Sequence, residues 1–185
     1  GGQVTVGFYT EQQVVPLSAA AAAVGIELPK SESLLPFLPG GDHQAAVVKV
    51  EQSLREAQVA KLARPLSHVK VLVPVPSPSK IILLAGNYAK HIQEGGGKAE
   101  ERARTFPYLF MKSPATTLTH PGDPIRIPSV SPHEIDWELE LGVMIGRTCS
   151  GVKEADALTY VAGYTVVNDI SDRSFKPNPG RADRP

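Results

Sequence analysis

The sequence predicts a mainly β, α+β protein, and three stretches carry that reading. From Glu134 to Gly146 the odd positions Ile135, Trp137, Leu139, Leu141, Val143 and Ile145 are apolar, while Glu134, Asp136, Glu138 and Glu140 take even ones. A period of two held this long is a strand signature, because successive side chains leave opposite faces. Between residues 80 and 170 further short apolar runs follow one another with connections too short for regular βαβ crossovers. That favours a barrel or folded-over sheet over a doubly wound fold. Ahead of them, Val71–Ser79 is rich in proline and reads as a stiff, extended connector. It sets a small N-terminal α+β domain, residues 1–70, apart from a β domain, residues 71–185.

In chain order, Val4–Tyr9 alternates and Glu11–Leu17 offers a partner across a short polar turn, which predicts a hairpin. Ser18 stands as N-cap before an alanine-rich helix that Gly25 stops. Leu34–Gly41 reads as an apolar or helical turn. From Ala45 to Leu62, Val47, Val50, Leu54, Ala57 and Leu62 recur near helical spacing, predicting one amphipathic helix packed on the hairpin. Lys80–Ala85 is a continuous apolar run of the kind found in strands buried on both faces. Gly86 and Asn87 turn the chain into a brief helix over Tyr88–Glu94, closed by glycines at 95–97. Lys98–Arg104 is almost wholly charged, a candidate lid or a solvated loop. Strands are expected at Pro107–Lys112 and Ile125–Pro128, with a tight turn at His120–Pro124 between them. After the acidic strand come a helical turn at Lys153–Leu158 and a last strand over Tyr160–Asp169. Phe175–Pro185 has no apolar period and reads as a loop or frayed tail.

The totals narrow the functional classes. Lysine plus arginine and aspartate plus glutamate both number 19, so net charge makes no case for a nucleic-acid partner. Cys149 is the single cysteine, which excludes an intrachain disulfide framework and a cysteine-rich zinc site and fits a reducing compartment. Apolar runs stay well short of the ~20 residues of a membrane helix. No secretion-type leader opens the sequence, so the expected location is cytoplasmic or mitochondrial. There is no dinucleotide fingerprint, nucleophile elbow or phosphate loop.

Side chains with chemistry cluster in a few places. Carboxylates two apart on one strand lie about 6.5 Å from each other and repel. Water offsets this on an open face, and a hard divalent cation offsets it in a cavity. Glu138 and Glu140, with Asp169 at the end of another strand, supply three oxygen ligands for such an ion. His91 and Glu94 are three apart and share a helix face, the arrangement of a base and its orienting carboxylate or of an ordinary exposed helix. Lys112 alternates with Tyr108 and Phe110, as a substrate-binding cation or a surface lysine at a strand end. Cys149 sits in a polar turn as an incidental thiol.

Taken together, five segments resemble the fumarylacetoacetate hydrolase family, including its acylpyruvate hydrolase, oxaloacetate decarboxylase and isomerase members. They are Gly86-Asn87-Tyr88 with His91 and Glu94; Pro107–Lys112; Pro121–Ile125; Asp136–Leu141; and Ala162–Ser171. The resemblance covers about residues 70–173 and is weaker before residue 65. It implies the family's folded-sheet β-barrel or roll. It implies that Glu138, Glu140 and Asp169 ligate Mg²⁺, with Mn²⁺ or Ca²⁺ as substitutes, and that His91 and Glu94 form an acid/base dyad on a lid, with Lys112 beside the pocket. The implied substrate is a small 2-oxo or β-diketo acid cleaved at a C–C bond through a metal-stabilised enolate, and a homodimer is expected. After Ser171 the chain departs from the family pattern, and the later family loops are missing. The β domain is therefore expected to be C-terminally incomplete. The alternatives are a non-catalytic binding or structural subunit, or an oxaloacetate decarboxylase or isomerase.

Overall fold

A computed structural model describes residues 2–94, 96, 98 and 108–173. The chain divides into two compact units, one formed by Gly1–Lys70 with Gly122–Pro185, the other by Val71–Pro121.

In the first unit, β1 (Gly7–Tyr9) and β2 (Gln13–Pro16) form the expected antiparallel hairpin, and β3 (Arg64–Pro65) adds to β2. The Thr10 hydroxyl oxygen accepts the amides of Gln12 (3.3 Å) and Gln13 (3.2 Å), which fixes the turn. Helix α1 (Leu17–Ala23) follows directly. Pro16 is its N-cap and Ser18 lies within the helix, so the expected serine cap does not form. The C-terminus closes as anticipated. Gly25 adopts φ +72°, its amide reaches Ala22 O at 3.2 Å, and the Ile26 amide reaches Ala21 O at 2.9 Å. This crossed pair of bonds satisfies carbonyls that the last turn leaves open.

The single helix expected over Ala45–Leu62 is instead two, α2 (Gln44–Ser53) and α3 (Glu56–Leu62), separated by extended backbone at Leu54. No proline or glycine marks the break. The Gln58 side chain makes it possible: its oxygen accepts the Arg55 amide at 2.9 Å, and its nitrogen donates to Ala23 O at 2.9 Å. The bend lets Val47, Leu54, Val59 and Leu62 all pack on one small core of Val15, Leu17, Ala20, Ala21, Phe37 and Val50. A straight rod would carry its far end away from that core.

The acidic segment is also divided. β6 (Ile135–Asp136) pairs with β9 (Ser171–Asp172), and β7 (Leu139–Ile145) pairs with β8 (Val161–Asn168), both antiparallel. Trp137 and Glu138 lie between the two pairings. The period-two reading gives the correct side for each residue, but from Trp137 to Ile145 the apolar side, the one a half-buried strand would pack inward, lies outward. Trp137 (68% exposed), Leu139 (66%) and Leu141 (62%) face outward, and the even positions from Asp136 to Gly146 are half-buried. Tyr164 and Val166, opposite Val143 and Leu141, extend this exposed apolar face. A two-stranded ribbon has one layer only, so its second face is covered only where another element packs on it. Along the even side, a Cβ at Gly142 would meet Val167 Cγ2 at 2.7 Å, and one at Gly146 would meet Pro39 O at 2.4 Å. The strand expected at Ile125–Pro128 is irregular backbone, with Ile125 and Ile127 exposed.

In the second unit, β4 (Ile81–Ala85) pairs antiparallel with β5 (Tyr108–Lys112). Ile82 and Leu84 are exposed, so β4 is not the doubly buried strand its composition suggests. Gly86 turns at φ +70° into α4 (Ala89–Glu94), and α5 (Pro114–Thr117) follows β5. The glycines at 95 and 97, the candidate lid apart from Lys98, and the tail from residue 174 lie outside the described residues. The architecture is thus mixed helix and short sheets, in the α+β class expected. Among the described residues the strands form one three-stranded sheet and three ribbons, short sheets in keeping with the C-terminally incomplete folded-sheet domain expected.

Truncating Phe37, 5% exposed at the centre of the small core, to alanine is expected to cost about 3 kcal/mol. A denaturant titration measures it; a loss below about 1 kcal/mol would show that this cluster does not hold the first unit together.

Candidate metal centre

The pairing of β7 with β8 assembles the carboxylates. Leu139 lies opposite Asn168, so Glu138 and Asp169, one step outward on each strand, also meet. The Asp169 amide donates to Glu138 O at 2.8 Å, and the Glu138 amide donates to Asn168 Oδ1 at 3.2 Å. Glu140, two residues on, leaves the same face as Glu138. One oxygen from each of Glu138, Glu140 and Asp169 lies within 4.8 Å of the others. Asp169 is buried and the two glutamates are half-buried. Three carboxylates this close repel in a poorly solvated place, and hard oxygen donors on one face are the set that suits Mg²⁺, Mn²⁺ or Ca²⁺.

The other two acids of the ladder have separate surroundings. Asp136 accepts the Trp137 amide on Oδ1 at 2.9 Å and the Arg173 guanidinium on Oδ2, from Nε at 3.2 Å and Nη2 at 3.0 Å. Arg173 also bonds the Glu138 carboxylate, and the two hydrogen bonds, Glu138 first and Asp136 second, raise its pKa and hold it charged. The Glu134 carbonyl accepts the Arg173 amide at 2.7 Å, while the Glu134 side chain is exposed. Buried Ser131 donates its hydroxyl to Asp172 Oδ2, beside the β6–β9 ribbon.

His91, Glu94 and Lys112 belong to the second unit. His91 Nδ1 and Glu94 Oε2 are 3.9 Å apart on α4, with both side chains more than half exposed. That is an ion-pair distance and too long for a direct hydrogen bond. Lys112 is the half-buried last residue of β5, opposite Ile81. Sequence reasoning missed Arg173, Asn168 and Ser131. Arg173 follows a strand of two residues, too short to leave a pattern in the sequence.

Residues 80–182 match the family described as Fumarylacetoacetate (FAA) hydrolase, C-terminal. Among curated relatives, the rat protein named oxaloacetate tautomerase Fahd2a, mitochondrial, is 35% identical over 155 residues, 83% of this chain and 45% of its own length. A 2,4-didehydro-3-deoxy-L-rhamnonate hydrolase from Sphingomonas sp. is 41% identical over 117 residues, 63% of this chain and 39% of its own. The chain thus spans less than half the length of these relatives. Maleylpyruvate hydrolase from Sphingobium sp. SYK-6, crystallised with manganese(II) and pyruvate, superposes with a TM-score of 0.63 at 24% identity. That match covers 91% of this chain and 56% of the hydrolase and is a likeness of fold. With more than half its residues matched to the family domain, the chain belongs to the fumarylacetoacetate hydrolase family.

Proposed function

We propose that this chain carries the metal-binding part of a divalent-metal-dependent enzyme that cleaves a C–C bond in a small 2-oxo or β-diketo acid. The carboxylate triad carries the reading: Glu138, Glu140 and Asp169 converge within 4.8 Å. Their donor set fits Mg²⁺ or Mn²⁺, and a bound cation supplies positive charge against the negative charge that develops on substrate oxygens. His91 takes the proton from the attacking water. Glu94, three residues on along the same helix face, orients the ring. Lys112 neutralises the substrate carboxylate. Membership of a family whose relatives include a named hydrolase supports this assignment of chemistry.

A second reading is keto–enol isomerisation of oxaloacetate, favoured by the name of the rat relative. It uses the same triad and a proton transfer at His91, without attack by water. In either reading the protein works as a homodimer in the cytoplasm or mitochondrion. The sequence divides near residue 70, a division supported by the proline-rich connector and by the family match starting at residue 80.

Mn²⁺ is expected to bind the purified chain and, at a hundred times its Kd, to raise unfolding stability by about 2.7 kcal/mol. EDTA should reverse the gain, and Asp169→Asn should abolish it. An unchanged melting temperature with Mn²⁺ would remove the metal reading.

His91→Ala is expected to lower turnover of acylpyruvates by roughly 10²-fold or more while leaving Mn²⁺ affinity intact. Assays with oxaloacetate beside acylpyruvates separate isomerisation from hydrolysis. Mn²⁺ binding without turnover of either class would identify a non-catalytic subunit.

A further inference from the structure

Arg173 touches the carboxylate ladder at two places with different roles. Its guanidinium bonds Glu138, one of the three proposed ligands, and also Asp136, which is outside the triad. Its backbone is pinned, because the Arg173 amide donates to Glu134 O at 2.7 Å within the β6–β9 ribbon. Asp136 is fixed as well, through the Trp137 amide on Oδ1. The guanidinium therefore has a preset range: one end of its reach is a ligand, and the other is an acid that binds no cation in the proposed site.

We propose that Arg173 sets the cation affinity of the site by competing for Glu138, with Asp136 as the place it occupies when Glu138 serves as a ligand. The inference rests on the metal reading above. A divalent ion has to take an oxygen of Glu138 on which the guanidinium already acts, and the two cations repel at short range. Arg173 keeps both contacts to Asp136 Oδ2 when it releases Glu138, so the exchange leaves no charge unpaired. Arg173 is thus a positioning residue for Glu138, and Asp136 determines how readily it lets go. The device also disfavours weakly charged ions: Na⁺ or K⁺ gains too little from the triad to displace the charge-assisted bond from the guanidinium to Glu138.

The test is calorimetric titration of Mn²⁺ into wild type, Arg173→Gln, Asp136→Asn, the double variant and Glu138→Gln, with circular dichroism to confirm folding. Arg173→Gln removes the competing charge, and Mn²⁺ should bind roughly tenfold tighter or better. Asp136→Asn removes the alternative site, and Mn²⁺ should bind more weakly than to wild type. In the double variant the Asp136→Asn penalty should largely vanish, because no arginine remains to be placed. A merely structural role for Arg173 would weaken binding in both single variants. Unchanged or weaker binding in Arg173→Gln, or an Asp136→Asn penalty that persists undiminished in the double variant, overturns the proposal. If wild type binds Mn²⁺ and Glu138→Gln does not, the metal reading stands whatever Arg173 does. If wild type binds none, both readings fall.

Discussion

The pairing register of β7 with β8 is the constraint on which the site depends. Leu139 opposite Asn168 puts Glu138 against Asp169 and leaves Glu140 on the same side. Side chains alternate strictly, so a slip of one residue would send both glutamates to the apolar face and bring Leu139 and Leu141 to the carboxylate side. Two bonds at the open end of the ribbon hold that register: the Asp169 amide to Glu138 O, and the Glu138 amide to the Asn168 side chain. Both lie at the converging acids themselves. The backbone geometry that fixes the sheet and the geometry that gathers the acids are the same.

That gathering has an electrostatic cost, and the surroundings of each acid show how it is met. Buried Asp169 has its amide engaged, Glu138 carries the Arg173 guanidinium, and Asp136 shares that guanidinium. The five-residue return from Asp169 to Arg173 therefore brings one guanidinium against two of the acids beside the end of β7. Ser131 extends it by donating to Asp172, so the β6–β9 ribbon is held by side chains as well as by its two residue pairs. The second unit carries the other candidate residues in a different setting. Its histidine and glutamate sit on a six-residue helix with their side chains open to solvent.

Much of this was legible in the residues, and what was not has physical causes. Alternation over Glu134–Gly146 specifies which side each residue takes, because it depends on backbone geometry alone. It does not specify which side is buried. That depends on what packs over the ribbon, and here Trp137, Leu139 and Leu141 are the exposed ones. The break at Leu54 escaped because the apolar spacing continues through it, while the side chain that permits it, Gln58, makes its decisive bond to Ala23, 35 residues away. Ile125–Pro128 failed as a strand because alternation supplies no partner for its backbone. Arg173 escaped for a related reason: a lone arginine after a two-residue strand has no period to betray it. The triad was found by joining two local patterns with a family resemblance, since spacing alone leaves a wet face and a cation site equally open.

Beyond Glu140, the even side of β7 continues as Gly142, Met144 and Gly146, and both glycines are there for clearance. A Cβ at 142 would fall 2.7 Å from a Val167 methyl, and one at 146 would fall 2.4 Å from the Pro39 carbonyl. One side of a single strand is thus fixed by charge at its first half and by lack of room at its second. The odd side is exposed and constrained by neither. A side chain added at 142 or 146 therefore meets a wall, whereas a change at 138 or 140 alters charge, so one side of one strand fails in two different ways along its length.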